Sequence, residues 1–275
     1  MKKKITISLE ETILDRIDHL VKNKSAKNRS AVIESILKEK YGAFSDVTVM
    51  IFAHDRKWDN RTYPFDLPKP LLEVRKRTII DRQIEAFVKT GIKNIICLIE
   101  PNSTELFEKE LVQKYPNASF DFVEIQSELK TWEALKIGLS RKHTSHNLII
   151  ANGDIFYGNL DVQEYYDYHK EQTGDMSMLL KFVLNPEQLW NIAIHGNKIV
   201  WFVDRPKAKQ TYLTNSGLYI TTRNFLDKYD FWDYLEHDYF PKIVETDNVL
   251  GYVYSWEWEH IQNDSAYERV NGWLM

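Results

Sequence analysis

Glycine is scarce in this sequence, with 10 residues in a chain of 275, and cysteine occurs only once. The single cysteine, Cys97, excludes an internal disulfide and a cysteine-based zinc site, and it indicates a reducing cytoplasm. No apolar run approaches the ~18 residues of a membrane-spanning helix, and no apolar secretory segment follows the opening MKKK. The sequence therefore predicts a cytoplasmic globular protein without a membrane partner.

Charge is distributed unevenly along the chain. Residues 1–42 contain 10 Lys and Arg against 6 Asp and Glu, while the remaining residues contain 26 against 34. A basic head on an acidic body indicates that only the head contacts a polyanion such as nucleic acid. A solvated basic helix would give the same balance, so charge alone leaves both interpretations open.

The basic head has the pattern of one strand followed by two short helices. Its KKKITISL stretch alternates polar and apolar side chains, as a half-exposed strand does. Two stretches with apolar residues at helical spacing follow, EETILDRIDHLVKNK and RSAVIESILKEKYG. So short a segment cannot bury enough apolar surface alone, and a single strand needs a partner strand. Pairing of two chains through residues 1–42 would meet both needs.

This pattern resembles the ribbon-helix-helix DNA-binding family over nearly the whole head. The resemblance implies an obligate homodimer that binds duplex DNA carrying an inverted repeat. The outward residues of the paired ribbon, Lys4, Thr6 and Ser8, would contact bases in the major groove. Arg29 and Ser30, at the start of the second helix, would contact a phosphate. A dimerisation arm that does not bind DNA is the alternative.

Residues 47–275 follow a short linker at 43–46 and alternate apolar strand-like stretches with helical ones. The series begins with VTVMIFA, TIIDRQIEAFVKTGI and NIICLIE, and it continues through FDFVEI and NLIIANGD. This alternation is typical of an α/β domain. The predicted fold class is therefore α/β: a mostly parallel, Rossmann-like sheet wrapped by helices, preceded by the small N-terminal domain.

Five motifs of the body resemble, in order and spacing, those of the sugar-phosphate nucleotidyltransferases. They are PKPLLEV at 68–74, NGD at 152–154, VDRP at 203–206, NSGLYI at 215–220 and WEHIQNDSAY at 258–267. Enzymes of this family join a sugar 1-phosphate to a nucleoside triphosphate and release pyrophosphate. The resemblance extends over most of the body and implies the nucleotidyltransferase fold.

The nucleotide-binding loop keeps the length that the family has and loses its glycines. The family pattern is A-G-G-x-G-T-R-L, with the proline of PKP 15 residues after the alanine, as it is here between Ala53 and Pro68. The positions of the three glycines and the arginine are occupied, in order, by His54, Asp55, Lys57 and Asp59. Side chains at those positions block the approach of phosphate to the backbone, and an aspartate repels its charge.

Two other parts of the nucleotide site also depart from the family. Its second metal-binding aspartate corresponds to His260, and its L-G-T-A nucleobase stretch corresponds to LKTW, with Lys130 and Trp132. Asp154 remains a possible metal ligand, but a carboxylate with an imidazole suits a transition metal better than magnesium. We therefore expect no catalytic residues, because Asp59 and His260 occupy positions at which the family has catalytic residues. We expect no cofactor either, and magnesium only if activity survives.

The sugar-phosphate side of the site keeps its polar and small residues. This vestigial pocket comprises Lys69, Asp154, Asp204, Arg205, Asn215 and Gly217. The resemblance implies that it binds a sugar phosphate or a nucleotide. The structural alternatives are that Lys69 and Arg205 lie at ordinary surface positions and that Asp154 caps a helical turn.

Two functions compete on these observations. We expect a DNA-binding transcriptional regulator whose C-terminal domain is a catalytically degenerate nucleotidyltransferase, acting as a ligand sensor or oligomerisation unit. The alternative is an active nucleotidyltransferase with an accessory DNA-binding head. The first is favoured because three parts of the nucleotide site depart from the family together, whereas the DNA-contacting face is complete.

Overall fold

The structure, a computed structural model, divides into two compact units, Met1–Ser45 and Asp46–Met275. The division falls inside the linker that the sequence predicts at 43–46. The residues that the structure describes are 6–22, 27–41, 44, 46–54, 67–126, 128–141, 144–184, 189–204, 211–229 and 233–272.

The N-terminal unit contains the two predicted helices, α1 (Glu11–Lys22) and α2 (Arg29–Tyr41), which pack against each other. Asn28 caps α2, because its Oδ1 accepts the backbone N–H of Ala31 at 2.9 Å. The Arg29 guanidinium makes a bidentate ion pair with Asp18 on α1, with both N···O distances at 2.5 Å. Arg29 therefore joins the two helices to each other.

The predicted ribbon is not shown in the N-terminal unit. Residues 6–10 form no strand in this single chain, and Thr6, Ser8 and Ser30 are exposed. Lys4 lies outside the described residues. A strand needs a partner to form its ladder of hydrogen bonds, so the ribbon-helix-helix assignment stays a prediction that a second chain would have to complete.

The second unit contains the main sheet, which the described residues form from nine strands in the order β5-β4-β1-β6-β11-β8-β12-β10-β9. Two short two-stranded sheets, β2 with β3 and β7 with β13, lie outside it. The strand bounds are β1 (Val47–Ala53), β2 (Glu73–Val74), β3 (Arg77–Thr78), β4 (Asn94–Ile99), β5 (Ser119–Glu124), β6 (Asn147–Asn152), β7 (Ile155–Tyr157), β8 (Met176–Phe182), β9 (Trp190–His195), β10 (Lys198–Asp204), β11 (Leu213–Thr222), β12 (Val249–Tyr254) and β13 (Trp258–His260).

The sheet is mostly parallel, as predicted, since seven of the nine strands described run in one direction, while β10 and β11 run in the other. Strands β5, β4, β1 and β6 are parallel, but β11 runs antiparallel to both β6 and β8. Beyond β11, β12 is parallel to β8 while β10 and β9 alternate in direction. The strand-like stretches after β7 carry the same apolar pattern in either direction, so their sequence does not reveal the reversal.

Helices cover the sheet and enclose an aromatic-rich core. The ring of Trp132 packs at a tilt against Tyr239 with a centroid distance of 4.9 Å, and Tyr219 of β11 packs against Phe240 with a centroid distance of 4.7 Å. No helix in the described parts of the chain is long and apolar enough to span a membrane. The helices of this unit are α3 (Ile79–Lys89), α4 (Thr104–Leu111), α5 (Thr131–Leu139), α6 (Val162–Gln172), α7 (Arg223–Asp227), α8 (Phe240–Thr246) and α9 (Asp264–Gly272), with a 3₁₀ turn at Lys69–Leu71 and a π-helical turn at Leu235–Tyr239.

Candidate active site

A cavity of about 210 Å³ opens at the C-terminal ends of β1 and β6. Phe52 and His54 line it from β1, and Asn152 and Asp154 line it from β6. These ends meet because β1 and β6 pair in parallel, with Phe52 opposite Asn152. The cavity therefore lies where open α/β sheets bind their ligands.

The NGD turn after β6 brings its backbone very close to β1. A Cβ atom at Gly153 would lie 2.8 Å from the carbonyl oxygen of Phe52 and 3.1 Å from a ring carbon of Pro70. The Gly153 N–H donates to the same Phe52 carbonyl at 2.9 Å. Glycine is required at this position because two backbones touch there, and the contact fixes the position of Asp154.

Asp154 forms a hydrogen-bonded chain with His260 of β13 and with Gln262, which follows that strand. Its Oδ2 lies 3.0 Å from Nε2 of His260, and Nδ1 of His260 lies 2.7 Å from Nε2 of Gln262. Pairing of β7 with β13 places His260 opposite Ile155, and the Ile261 N–H donates to the Asp154 carbonyl at 2.9 Å. The imidazole of His260 is therefore held at both ring nitrogens, by Asp154 on Nε2 and by Gln262 on Nδ1.

Asp154 carries a full negative charge at neutral pH. Burial raises the pKa of its carboxyl, but the charge and hydrogen bond of His260 and the charge of Lys69 outweigh burial and lower that pKa to about 2. Lys69 itself is buried, with 7% of its surface exposed, on the 3₁₀ turn that follows the nucleotide loop. Two basic side chains thus flank one carboxylate.

The depressed pKa of Asp154 predicts a pH-dependent stability. Its stabilisation is present above the ordinary carboxyl pKa of 3.8 and is lost as pH falls towards about 2. As the pH falls from about 5 to about 3, the free energy of unfolding of wild type should therefore decrease by about 1 kcal/mol more than that of the Asp154→Asn variant. Urea unfolding at both pH values measures this difference. Glu108→Gln, at an exposed position of α4, is the control, and equal pH slopes in wild type and Asp154→Asn would contradict the prediction.

The NSGLY motif forms a bulge in β11 beside the NGD turn. Asn215 donates its Nδ2–H to the Tyr219 hydroxyl at 2.6 Å and accepts the Gly217 N–H on Oδ1 at 3.0 Å. Gly217 has φ +78°, and a Cβ there would lie 3.0 Å from Nδ2 of Asn152. Asn215 lines the cavity, but these two bonds commit much of its side chain to shaping the strand.

The two bulky residues of the LKTW stretch do not fill the cavity. Trp132 is buried in the core against Tyr239, and Lys130 pairs with Asp233 at the surface. Thr131, between them, is the residue of this stretch that lines the cavity. The substitutions Lys130 and Trp132 therefore do not close the cavity, because neither side chain lines it.

The described residues do not form a magnesium site on their own. Mg²⁺ prefers six oxygen ligands, whereas Asp154 is joined at this strand end by the imidazole of His260 and the charge of Lys69. No group of three or more His, Cys, Asp or Glu side chains placed to hold a metal occurs within the described ranges. The assignment of Asp154 as a metal ligand stays a prediction.

The structure describes only some of the remaining predicted site residues. Asp204 ends β10, and its backbone lies opposite Trp190 in β9. Asp59 and Arg205 lie outside the described residues, so the altered nucleotide loop and the VDRP arginine stay predictions.

Sequence reasoning missed several residues that line the cavity, among them Thr214, Trp190, Glu236 and His237. Thr214 directly precedes a recognised motif, so the strand pattern could have indicated it. Glu236 and His237 lie on the π-helical turn, which has no sequence signature. Trp190 follows a stretch without a motif.

Comparison with curated proteins finds relatives that carry enzyme names. The chain is 26% identical over 206 residues to the mannose-1-phosphate guanyltransferase of Debaryomyces hansenii, covering 72% of the chain and 56% of that protein. It is 27% identical over 199 residues to the mannose-1-phosphate guanyltransferase of Hypocrea jecorina, and the match covers 69% of the chain and 53% of that protein. The chain thus spans little more than half the length of these relatives.

Comparison with solved structures supports the fold. A Bacillus anthracis structure, described as a candidate glucose-1-phosphate thymidylyltransferase in complex with sucrose, superposes with a TM-score of 0.71. The two sequences are 17% identical, and the superposition covers 82% of this chain and 94% of the Bacillus anthracis chain. At that identity the likeness shows the nucleotidyltransferase fold alone.

These findings overturn the favoured function. The hypothesis of a DNA-binding transcriptional regulator with a catalytically degenerate C-terminal domain is wrong, because the relatives are named as sugar-phosphate nucleotidyltransferases and favour an enzyme. The interpretation gave too much weight to substitutions such as Trp132, whose side chain lies in the core. The nucleotidyl transferase family matches residues 61–271, which is most of the chain, and the chain belongs to that family.

Proposed function

We propose that the chain is an active nucleotidyltransferase that joins a sugar 1-phosphate to a nucleoside triphosphate. The observation that carries this proposal is the cavity at the ends of β1 and β6, which stays open although the LKTW stretch is bulkier than its family counterpart. Lys69 lies near Asp154, at the edge of the same region. Membership of the family and the names of its relatives support the same reaction.

The proposed reaction is a displacement at phosphorus. A phosphate oxygen of the sugar 1-phosphate attacks the α-phosphorus of the nucleoside triphosphate. The bond from that phosphorus to the oxygen bridging the β-phosphate breaks, and its electron pair leaves with pyrophosphate. Catalysis of phosphoryl transfers of this kind depends mainly on positioning and on stabilising oxygen charge.

Lys69 and the Asp154–His260 pair supply those two effects in this proposal. A buried lysine stabilises phosphate charge strongly because little water screens it. His260 holds the Asp154 carboxylate through a 3.0 Å hydrogen bond, and Gln262 fixes the imidazole from its other nitrogen. The carboxylate therefore stays ionised and oriented beside the lysine, so that its charge is balanced within the protein.

A pyrophosphate-release assay tests the proposal. Purified full-length chain is incubated with each common nucleoside triphosphate, magnesium in the buffer, and α-D-mannose 1-phosphate or α-D-glucose 1-phosphate. We expect turnover that requires both substrates, with a rate in the ordinary enzyme range of about 1–10³ s⁻¹. Absence of release from every pair would refute the proposed function.

We also infer that the N-terminal unit pairs with a second copy of this chain. Six of its apolar side chains are 38–48% exposed in the single chain, which leaves a large unpartnered surface on a unit of 45 residues. They are Ile7, Leu9, Ile13, Leu20, Ile36 and Leu37. Ribbon-helix-helix pairing would bury this face.

Sedimentation of full-length variants checks the pairing. Ile36→Lys should shift the chain from dimer to monomer, because a charge in a buried apolar contact lacks a partner. Val200→Lys is the matched control, since Val200 lies in the other unit and is 47% exposed against 46% for Ile36. An unchanged sedimentation coefficient for Ile36→Lys would refute this mode of pairing.

Binding of duplex DNA through Lys4, Thr6, Ser8, Arg29 and Ser30 stays a prediction of the resemblance. The ion pair of Arg29 with Asp18 would have to open for Arg29 to contact a phosphate. Affinity for an inverted-repeat duplex, measured against salt concentration, tests the idea. The affinity should fall steeply as the salt concentration rises, because binding to phosphates releases counterions. Absence of binding at low salt would contradict the prediction.

A further inference from the structure

The inner wall of the cavity contains a buried hydroxyl without a partner. Thr214 of β11 is completely buried and lines the cavity, and its Oγ1 makes no hydrogen bond to any of the described residues. Buried polar groups in folded proteins nearly always have a partner. A hydroxyl left open on a cavity wall therefore indicates that a polar ligand supplies that partner.

A carboxylate lines the same cavity. Glu236 makes no hydrogen bond or ion pair with any residue in the described parts of the chain, and it lies on the π-helical turn Leu235–Tyr239. The Leu235 N–H donates to Thr131 Oγ1 at 3.0 Å, and the Tyr234 N–H donates to Asp238 Oδ2 at 2.8 Å, so the turn is held at both ends. Turns of this kind are rare and occur frequently at functional sites.

An aromatic ring completes this part of the wall. Trp190 begins β9, packs against Phe202 at a centroid distance of 5.1 Å, and meets the His237 ring edge-on at 4.8 Å. These two neighbours fix the indole in place. A rigid aromatic face beside hydrogen-bonding groups is suited to a sugar ring, which presents both C–H faces and hydroxyls.

β11 separates this part of the cavity from the NGD turn. Gly217 lies beside Asn152 in the bulge of β11, whereas Thr214 lies before the bulge, opposite Lys181 of β8. At the Thr214 end, β11 pairs with β9 through Leu213 and Ile192, next to Trp190. Lys69 and His260 thus lie near Asp154 at the NGD turn, whereas Glu236 and Trp190 lie at the other end of the wall.

We propose that Glu236, Thr214 and Trp190 form the sugar-recognition end of the cavity and select the sugar 1-phosphate by the arrangement of its hydroxyls. The inference rests on the proposed function and names the residues that determine its specificity. Glu236 accepts hydrogen bonds from ring hydroxyls, Thr214 bonds another hydroxyl, and Trp190 covers a C–H face. The phosphate of the same molecule then faces Lys69.

Calorimetric binding to the full-length chain tests this assignment. The probes are α-D-mannose 1-phosphate, α-D-glucose 1-phosphate and inorganic phosphate. Glu236→Gln should weaken the affinity for the preferred sugar 1-phosphate about 10-fold or more, since hydrogen bonds to a charged group are the strong ones, and should leave the affinity for phosphate unchanged. Glu245→Gln, an exposed glutamate on α8, is the control. Equal sugar 1-phosphate affinities for Glu236→Gln and wild type, or no wild-type binding to either sugar, would overturn the proposal.

A second variant separates sugar binding from folding. Thr214→Val replaces the unpartnered hydroxyl with a methyl group of similar size, so the unliganded protein should be as stable as wild type or more stable, while sugar 1-phosphate affinity falls. Loss of stability together with unchanged affinity would mean that Thr214 has only a structural role, and it would overturn its assignment.

The outcomes also distinguish this inference from the proposed function. If sugar 1-phosphate binds and requires Glu236 but no pyrophosphate is released, the recognition site stands and the reaction is refuted. If pyrophosphate is released and Glu236→Gln leaves the KM for the sugar 1-phosphate unchanged, the reaction stands and the recognition site is refuted.

Discussion

Replacing Lys69 with methionine should lower kcat/KM for pyrophosphate release about 10²–10³-fold, the usual loss for one buried charge-stabilising donor. Methionine is unbranched like lysine and only one atom shorter, and it removes the charge. Lys69 is 7% exposed, so water cannot replace that charge. The same substitution removes one of the two basic groups that depress the pKa of Asp154, and that pKa should therefore rise.

Two measurements support a catalytic interpretation of this loss. Lys93→Met, at an exposed position before β4, should leave kcat/KM unchanged. Thermal unfolding should show that Lys69→Met is folded at the assay temperature. A folded Lys69→Met enzyme with wild-type kcat/KM would contradict the role of this lysine in stabilising phosphate charge.

Replacing Gly153 with alanine should abolish most activity and destabilise the fold by about 1–3 kcal/mol, as overpacking in a core does. The added Cβ would lie 2.8 Å from the Phe52 carbonyl oxygen and 3.2 Å from the Ala53 Cα. Both are backbone atoms of a central strand, so they cannot rotate away. The NGD turn must move instead, and Asp154 moves with it.

Gly272→Ala provides the matched control for this substitution. Gly272 ends α9, and a Cβ there meets no atom within 4 Å. Alanine is the better helix former, so this variant should be at least as stable as wild type and fully active. If Gly153→Ala matched it in urea unfolding and in turnover, the close approach of the two strands would not be required for the site.

The parts of the fold that the sequence predicts are those in which one face or both faces of an element are buried. The apolar runs of β1, β4 and β6 predict strands, because both faces of each are covered. Strand direction leaves no such pattern, so the reversal at β11 is visible only in the structure. The N-terminal helices were predictable from spacing, whereas the pairing of a lone strand requires a second chain.

Prediction of the site was limited by side-chain direction. The NGD and NSGLY motifs lie near each other in the structure, since Asp154 and Asn215 both line the cavity. The family has a small residue where this chain has Trp132, and sequence gives the volume of that side chain without its orientation. Successive residues of a helix point about 100° apart, so Thr131 lines the cavity while Trp132 enters the core.

The pairing of Asp154 with His260 has a consequence for the order in which the protein is made and folds. The two residues are 106 positions apart, and His260 is held by the β7–β13 pairing near the C-terminal end of the sequence. During synthesis, Asp154 leaves the ribosome well before its partner exists, and contacts of such long range form late because closing a long loop is entropically costly. The nascent chain can therefore assemble β1, β4, β5 and β6 while the carboxylate is still unpaired. The site becomes complete only when β13 pairs with β7, so nascent chains stalled before β13 contain much of the sheet without the Asp154–His260 pair.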